Sequence, residues 1–368
     1  MSGSPISYVL LTGATGFIGA HVLDGLLHRG LKVRIAVRSL HKARALKSAR
    51  PEHAHMLDVI QVDDYSTATS FTEAVKDVEG IVHVASPLSY DIKDNEEDMI
   101  LPAINGTKSI LQAALRSPLI QRVVITSSFA AVIDIDRKGP PYFTYTSTDW
   151  NPLTYDQAAD NNSSAVVAYR GSKKFAELAA WEFMEQEKPR FDLVTLCPPM
   201  VFGPFVHPVE RLEDLSDSIS KLWEIVDGGE LPVARVPFWV DVRDLAHAHV
   251  EALLRSQLRS KRYTIASPDR FSYQKASSII LDSFDWAKNR VLTQTLHQDI
   301  DESYGLDGEE AADELGLSYH SFQQSVVDLV AQAVQMESDL RAKSTSSQSW
   351  GCRAQSPSKC LPSINGQS

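Results

Sequence analysis

The fold of this chain is decided by the stretch Thr12-Gly13-Ala14-Thr15-Gly16-Phe17-Ile18-Gly19, which lies between the apolar run Ile6–Leu11 and the amphipathic segment Phe17–Arg29. The first glycine of the motif permits a tight turn, the second lets a phosphate approach the backbone, and the third lets helix and strand pack closely. Glycines occur in many loops, but here they join a strand pattern to a helix pattern, as dinucleotide binding requires. The stretch therefore predicts a diphosphate bound at the N-terminus of the first helix.

Apolar runs of strand length alternate with amphipathic segments of helix length from this stretch to Pro198. Such alternation predicts a parallel sheet covered by helices on both faces, and right-handed crossovers make that sheet doubly wound. We therefore expect an α/β protein of the Rossmann type. The expected strands are Ile6–Leu11, Val33–Val37, Val59–Val62, Ile81–Ala85, Val123–Thr126 and Leu193–Cys197, and the expected helices include Phe17–Arg29, Glu96–Arg116 and Val166–Lys188.

The pattern changes after Pro198 and again near the C-terminus. Residues 1–198 are expected to form mainly the dinucleotide-binding Rossmann domain, and residues 199–342 mainly a smaller substrate-binding lobe that is interleaved with the sheet. Residues 343–368 are rich in Ser and Gln and contain no acids, so they predict a disordered tail. The lobe is expected to contain helices at Arg211–Val226, Arg243–Arg255 and Ser318–Arg341, and a short strand at Arg262–Ile265.

Composition and charge narrow the class of protein. Lys and Arg number 36 and Asp and Glu 47, so the net charge of −11 disfavours nucleic acid as a partner. Three cysteines without framework or zinc-site spacing predict a reducing compartment and no structural disulfide. The polar N-terminus predicts no signal peptide, and no apolar run has membrane-spanning length. We expect a cytoplasmic monomer or homodimer that binds a small molecule and neither nucleic acid nor membrane.

The residues after the second expected strand indicate which dinucleotide binds. NAD-binding folds usually carry an acid about 20 residues after the glycines, and this chain has Val37-Arg38-Ser39 there, followed by Lys42. The planar guanidinium of Arg38 can pair with a ribose 2′-phosphate, and no carboxylate stands beside it to repel that phosphate. The sequence therefore predicts NADP(H). Asp64, which follows the third strand, is either a contact for the adenine amino group or a cap for the next helix.

Tyr169 and Lys173 are four residues apart in Tyr169-Arg170-Gly171-Ser172-Lys173 and project from one face of an expected helix. A phenol there can give its proton to the alkoxide that forms when hydride reaches a carbonyl carbon. The reference pKa of a tyrosine is about 10, and a nearby ammonium lowers it, while Lys173 can also hold the nicotinamide ribose. Ser128, with Ser127 a close second, follows the strand Val123–Thr126 and can orient the carbonyl by a hydrogen bond. Serines at strand ends also serve as plain turn residues.

The combined motifs resemble those of the extended short-chain dehydrogenases/reductases. Two further stretches are similar to the dihydroflavonol reductase and cinnamoyl-CoA reductase branch, which includes yeast and fungal aldehyde and ketone reductases such as methylglyoxal reductase. These stretches are His83-Val84-Ala85-Ser86-Pro87 and Pro198-Pro199-Met200-Val201-Phe202-Gly203-Pro204. The resemblance covers roughly Ser7 to Arg341. Ile133 stands where the plant flavonoid enzymes have an asparagine that holds the substrate, so a dihydroflavonol substrate is not expected.

The resemblance implies hydride transfer from NADPH and a triad of Ser128, Tyr169 and Lys173. It also implies backbone contacts to the cofactor after the fourth strand and after Pro198. Together with the residues already singled out, the expected cofactor contacts are Thr12, Gly13, Gly16, Phe17, Ile18, Gly19, Arg38, Lys42, Asp64, Ala85, Ser86, Pro87, Tyr169, Lys173, Pro199 and Val201.

Three functions fit these features, and the first is favoured. An NADPH-dependent reductase of aldehydes or ketones accounts for Arg38 and for the Tyr169–Lys173 pair. An NAD-dependent nucleotide-sugar epimerase or dehydratase shares the fold but typically carries an acid after the second strand, and a non-catalytic NADP(H)-sensing regulator typically lacks the Tyr–Lys pair. Bulky aliphatic ketones, aromatic aldehydes and polyketide intermediates of secondary metabolism all stay open as substrates. No metal is expected, because His247 and His249 point in different directions on their helix.

Overall fold

The structure, a computed structural model, describes residues 5–86, 92–137, 142–292 and 298–351 of the chain. Strands in these residues form one large parallel sheet and two small parallel pairs. The large sheet consists of β1 (Tyr8–Thr12), β2 (Lys32–Val37), β3 (Leu57–Gln61), β4 (Gly80–His83), β5 (Arg122–Thr126), β7 (Asp192–Cys197) and β10 (Lys261–Thr264). The small pairs join β6 (Phe143–Tyr145) to β11 (Tyr304–Leu306), and β8 (Met200–Phe202) to β9 (Trp239–Asp241).

Helices cover both faces of the large sheet and build the smaller lobe. They are α1 (Phe17–His28), α2 (Leu40–Ser48), α3 (Leu101–Arg116), α4 (Tyr155–Ala159), α5 (Ala165–Glu187), α6 (Asp217–Val226), α7 (Val242–Leu254), α8 (Tyr273–Ser283), α9 (Glu309–Leu315) and α10 (Phe322–Gly351). A π-helical turn at Glu96–Ile100 leads into α3. Among the helices of the described ranges, none combines the length and apolarity needed to cross a membrane.

The order of strands in the large sheet is β3-β2-β1-β4-β5-β7-β10, with every neighbouring pair parallel. The chain runs outward from β1 to one edge and then from β4 to the other, which is the doubly wound arrangement. Val9 and Leu11 of β1 face the core that contains α1 and α7, whereas Leu10 faces the core that contains α3. Because both faces are covered, the strands are near-continuous apolar runs, and the predicted Rossmann-type α/β fold is confirmed.

The register of the strands brings four loops to one edge of the sheet. Thr12 at the end of β1 pairs with His83 at the end of β4, which in turn pairs with Ile125 of β5. On the other side, Thr126 pairs with Leu196 of β7. The glycine loop and the segments after β4, β5 and β7 therefore leave the sheet side by side, where doubly wound folds place their ligands.

Two elements from beyond Pro198 belong to the large sheet and its helical cover. The strand that the sequence assigned to the smaller lobe, Arg262–Ile265, is β10 and pairs with β7 along Val194–Cys197. α7 packs against α1 beneath the sheet. Leu193, Val194 and Leu196 of β7 are fully buried, so the polar backbone groups of this strand need a partner strand on the side away from β5. That need explains why the chain returns to the sheet after the lobe begins.

The last helix is longer than the sequence predicted. It was expected to end at Arg341 and to be followed by a disordered tail from Lys343, but α10 continues to Gly351. Residues 342–350 contain neither glycine nor proline, so nothing in their backbone chemistry stops the helix before Gly351. The rest of the expected tail, residues 352–368, lies outside the described part of the chain.

Candidate active site

The glycine loop has the geometry that its residues predict. Gly13 has a φ of +77°, and a Cβ built on it would lie 2.7 Å from the backbone nitrogen of Ala85. A Cβ on Gly19 would collide with the carbonyl oxygen of Gly13. Both glycines are therefore required by the protein itself, because the turn, the start of α1 and the segment after β4 are packed backbone against backbone.

Gly16 is different, because its own surroundings do not require a glycine. A Cβ at Gly16 would have the Gly13 carbonyl oxygen as its nearest neighbour, at an ordinary contact distance of 3.5 Å. Gly16 is the N-cap of α1, no side chain caps the helix there, and its first turn contains no acid. The open side of this loop thus presents uncapped N–H groups and the positive end of a helix dipole, which fits the diphosphate of a dinucleotide.

Thr12 shapes this groove from inside the protein. Its side chain is fully buried, and its hydroxyl accepts a hydrogen bond of 3.2 Å from the backbone N–H of Ala85. The same hydroxyl lies 2.9 Å from Nδ1 of His83, whose pKa burial lowers to about 4 with a smaller contribution from the charge of Lys173. Thr12, itself paired with the neutral His83, therefore fixes Ala85 beside the loop. Pro87, the next expected contact, lies outside the described residues.

The end of β2 carries positive charge, as the sequence predicts. Arg38 is exposed there, and within the described ranges its guanidinium has no hydrogen-bond or ion-pair partner. Ser39 caps α2 by accepting a hydrogen bond from the backbone N–H of Lys42, which is also exposed. An anion bound at this point would meet two positive side chains and the N-terminus of α2.

Asp64 has a structural role in the protein as it stands. Its Oδ1 accepts hydrogen bonds from the backbone N–H of Ser66 at 2.7 Å and from the Ser66 hydroxyl at 2.6 Å. These bonds lower the pKa of Asp64 and fix the turn that follows β3. Asp64 does not cap the next helical turn, which begins after Thr67 without a side-chain cap, and a contact to adenine stays a prediction.

Tyr169 and Lys173 lie on α5, which begins after Ser164 caps its first turn. The Lys173 ammonium nitrogen donates a hydrogen bond of 2.8 Å to the hydroxyl of Ser86 and lies 5.7 Å from the centre of the Tyr169 ring. Burial lowers the pKa of Lys173 to about 8, and the negative charge of Glu177 opposes that shift. The helix thus delivers a phenol and an ammonium to the groove formed by the glycine loop and the segment after β4.

The structure distinguishes the surroundings of Ser127 and Ser128, which the sequence alone did not. Ser127 is buried and donates a hydrogen bond of 2.6 Å to Oε2 of Glu177, on the side away from the groove. Ser128 is partly exposed, and its hydroxyl accepts a hydrogen bond of 3.1 Å from the backbone N–H of Ala130. Because the Ser128 hydroxyl oxygen acts as the acceptor in this bond, its own proton is still available for donation. Orienting a carbonyl oxygen requires such a donor. Ser128 is therefore the better candidate.

A buried ion pair behind the site was missed by the sequence reasoning. Glu177 and Arg262 lie 2.8 Å apart, with only 1% and 7% of their side chains exposed. Glu177 also accepts hydrogen bonds from Ser127 and Thr195. Arg262 further donates to the backbone of Ser147 and Asp149. The spacing of Glu177 one helical turn after Lys173 was the available signal, but its partner comes from β10, far away in the chain.

The remaining expected contacts follow β7. Pro199 is partly exposed immediately before β8, and Val201 within that strand is buried. Ile133 is also buried, and its carbonyl oxygen accepts a hydrogen bond of 2.5 Å from Arg170. The Ile133 side chain belongs to an aromatic cluster with Phe129, so an apolar surface follows Ser128 here.

Comparisons with known proteins agree over most of the chain. Residues 9–266 match the family described as the NAD dependent epimerase/dehydratase family. An uncharacterized oxidoreductase of Schizosaccharomyces pombe is 38% identical over 87% of this chain and 95% of its own length. The ketoreductase azaE of Aspergillus niger is 35% identical over 89% of this chain and 98% of its own. The structure of yeast methylglyoxal/isovaleraldehyde reductase complexed with NADPH is 30% identical, with a TM-score of 0.79, over 90% of this chain and 99% of its own.

Proposed function

The chain belongs to the NAD dependent epimerase/dehydratase family, and we propose that it is an NADPH-dependent reductase that converts an aldehyde or ketone to the alcohol. The family resemblance drawn from the motifs is thereby confirmed. Two relatives support this reaction class, since one is a ketoreductase and another is a methylglyoxal/isovaleraldehyde reductase complexed with NADPH.

In this reaction NADPH supplies the hydride that reduces the carbonyl carbon. Tyr169 donates its phenolic proton to the oxygen that becomes the alcohol. Lys173 stabilises the phenolate left on Tyr169 and would hold the nicotinamide ribose of a bound cofactor. Ser128 donates a hydrogen bond to the carbonyl oxygen, which orients the substrate and stabilises the charge that develops on it.

The observation that carries this proposal is the bond between Lys173 and Ser86. It brings the helix that bears Tyr169 to the segment beside Gly13, so that the proposed acid and the proposed cofactor groove share one cleft. The acidic residue that NAD-binding epimerases use after β2 is replaced by Arg38, which favours NADPH over NAD. A cytoplasmic location and a monomeric or dimeric state stay predictions, as does a substrate from secondary metabolism.

The reaction is tested by following NADPH absorbance with a panel of carbonyl compounds. The panel contains bulky aliphatic ketones, aromatic aldehydes and small dicarbonyls, with NADH as the control cofactor. We expect oxidation of NADPH that depends on the carbonyl compound and is far slower with NADH. NAD that co-purifies with the protein, together with no consumption of NADPH by any compound, would instead indicate an epimerase or dehydratase.

Arg38→Asp is expected to raise the Kd for NADPH by about tenfold to hundredfold, because it replaces a charge-assisted bond to the 2′-phosphate by repulsion. The Kd for NADH, which lacks that phosphate, should change by less than about threefold. Arg44→Asp makes the same charge change at an exposed position of α2 and serves as the matched control. Equal losses for both cofactors would place the 2′-phosphate elsewhere.

Ser128→Ala is expected to lower kcat by about a hundredfold, the effect typical of removing one donor to a developing oxyanion. Ser127→Ala should leave kcat nearly unchanged and instead lower the free energy of unfolding by about 1–3 kcal/mol, since it removes a hydrogen bond to the buried Glu177. Steady-state rates and denaturant unfolding of both variants check this pair. If Ser127→Ala lowered kcat and Ser128→Ala lowered only the free energy of unfolding, Ser127 would be the substrate contact.

The pH dependence follows from the lowered pKa of Lys173. The ammonium form is lost as the pH rises through about 8, so kcat/KM for carbonyl reduction should fall above that pH. Lys173→Arg keeps the positive charge throughout this range, so its residual activity should lack the alkaline decline. Rates measured from about pH 6.5 to 9.5 for both proteins provide the comparison. An identical alkaline limb in Lys173→Arg would assign it to another group.

A further inference from the structure

The segment after β8 reaches across the cofactor side of the molecule and is held there from three directions. Its backbone carbonyl at Pro204 accepts a hydrogen bond of 2.7 Å from Nε2 of His21 on α1. Gln332 on α10 exchanges two hydrogen bonds with the backbone of Phe205, and Arg50, just beyond α2, donates to the next carbonyl. The segment is therefore fixed between α1, α10 and the residue that follows the C-terminal end of α2.

His207 is the next residue of this segment, and one of its ring nitrogens has no partner. Nδ1 of His207 is buried and makes no hydrogen bond within the described part of the chain. Its ring meets Phe17, the first residue of α1 after the glycine loop, with ring centres 6.2 Å apart. Buried polar atoms are nearly always hydrogen-bonded in native proteins, and the His207 side chain as a whole is partly exposed, so a ligand that reaches this ring is one source of the missing partner.

The charges around His207 are mostly positive, although the whole chain is acidic. His21 on α1, Lys42 on α2 and Arg50 beyond it all lower the pKa of His207, and burial contributes most, bringing it to about 4. Two carboxylates that interact with these cations are already engaged, since Asp24 pairs with Arg50, and Asp214, which feels the charge of Lys42, pairs with Arg211. A neutral imidazole surrounded by cations is a poor site for a cation and a good site for an anion.

The position of His207 relative to α1 and α2 indicates which anion would bind it. Phe17 marks the start of α1, where the cofactor diphosphate is expected, and Lys42 lies in the first turn of α2, beside Arg38 and the expected 2′-phosphate. We propose that His207 binds a phosphate group of NADPH from the side of the lobe, opposite the glycine loop. This inference rests on the proposed NADPH dependence of the enzyme.

A phosphate at this position changes the protonation of His207. Its negative charge favours the imidazolium, so binding raises the pKa of His207 from its low value in the free protein. NADPH binding therefore takes up protons in the pH range between the two pKa values. The contribution of His207 to affinity is present below the pKa of the bound state and is lost as the pH rises through it.

The test compares the wild type with His207→Ala, His207→Gln and the matched control His247→Ala, which changes an exposed histidine of α7. Isothermal titration with NADPH and with NADH, each in two buffers of different ionisation enthalpy at about pH 6 and 8.5, gives Kd and the protons taken up. We expect His207→Ala to raise Kd about tenfold at the lower pH and far less at the higher one. His207→Gln should keep part of the affinity, without its pH dependence.

The outcomes show which phosphate of the cofactor His207 contacts, and they distinguish a failure of this inference from a failure of the proposed function. Losses of equal size for NADPH and NADH assign His207 to the diphosphate, and a loss confined to NADPH assigns it to the 2′-phosphate. A Kd and a proton uptake in His207→Ala that equal those of the wild type would overturn the proposal. A wild type that binds no NADPH would instead refute the proposed function, whatever the variants do.

Discussion

Tyr169→Phe is expected to lower kcat for carbonyl reduction by about a thousandfold while leaving the Kd for NADPH within about twofold of the wild-type value. The substitution removes only the phenolic oxygen, so the ring stays beside Lys173 and the packing of α5 is kept. Without that proton donor, the alkoxide that forms at the carbonyl oxygen has to take its proton from water. The main proposed cofactor contacts, the glycine loop and Arg38, are not touched by the change.

The control for this prediction is Tyr155→Phe. Tyr155 is partly exposed like Tyr169 and lies on α4, where its hydroxyl donates a hydrogen bond of 2.7 Å to Glu96. Losing that bond should cost a little stability and almost no turnover, because the Tyr155 hydroxyl bonds Glu96 and neither Lys173 nor Ser128. Single-turnover rates with saturating NADPH, together with fluorescence titration of the cofactor, measure the two quantities separately. Unchanged single-turnover rates in Tyr169→Phe would remove Tyr169 from the role of acid.

The parts of this site that are local in sequence were predictable from sequence. The glycine motif predicted the turn after β1, because a positive φ at Gly13 and the close approach at Gly19 leave no alternative residue. The pair of Tyr169 and Lys173 was equally visible, because the period of a helix fixes which residues share a face. Both predictions depend on distances of a few residues along one element.

The parts that depend on distant contacts were not predictable in the same way. Ser127 and Ser128 are adjacent and chemically identical, and only the position of Glu177 on α5 reveals which of them points inward. The lobe was expected to be interleaved with the sheet, but the sequence did not identify β10 as the strand that joins it, since its residues form an ordinary short strand pattern. β10 pairs with β7 because β7 is buried and needs a second partner strand. The residues of β10 themselves carry no information about that burial.

The buried pair of Glu177 and Arg262 leads to a second large effect, this time on stability. Arg262→Met should lower the free energy of unfolding by about 3–5 kcal/mol, because it leaves a carboxylate that is 1% exposed without its counter-charge. Adding Glu177→Met should recover much of this loss, since two apolar side chains of similar length can fill the same space without a buried charge. Denaturant unfolding of the wild type, both single variants and the double variant gives the coupling energy between the two residues. Additive losses in the double variant would show that Glu177 is stabilised by Ser127 and Thr195 and does not need Arg262.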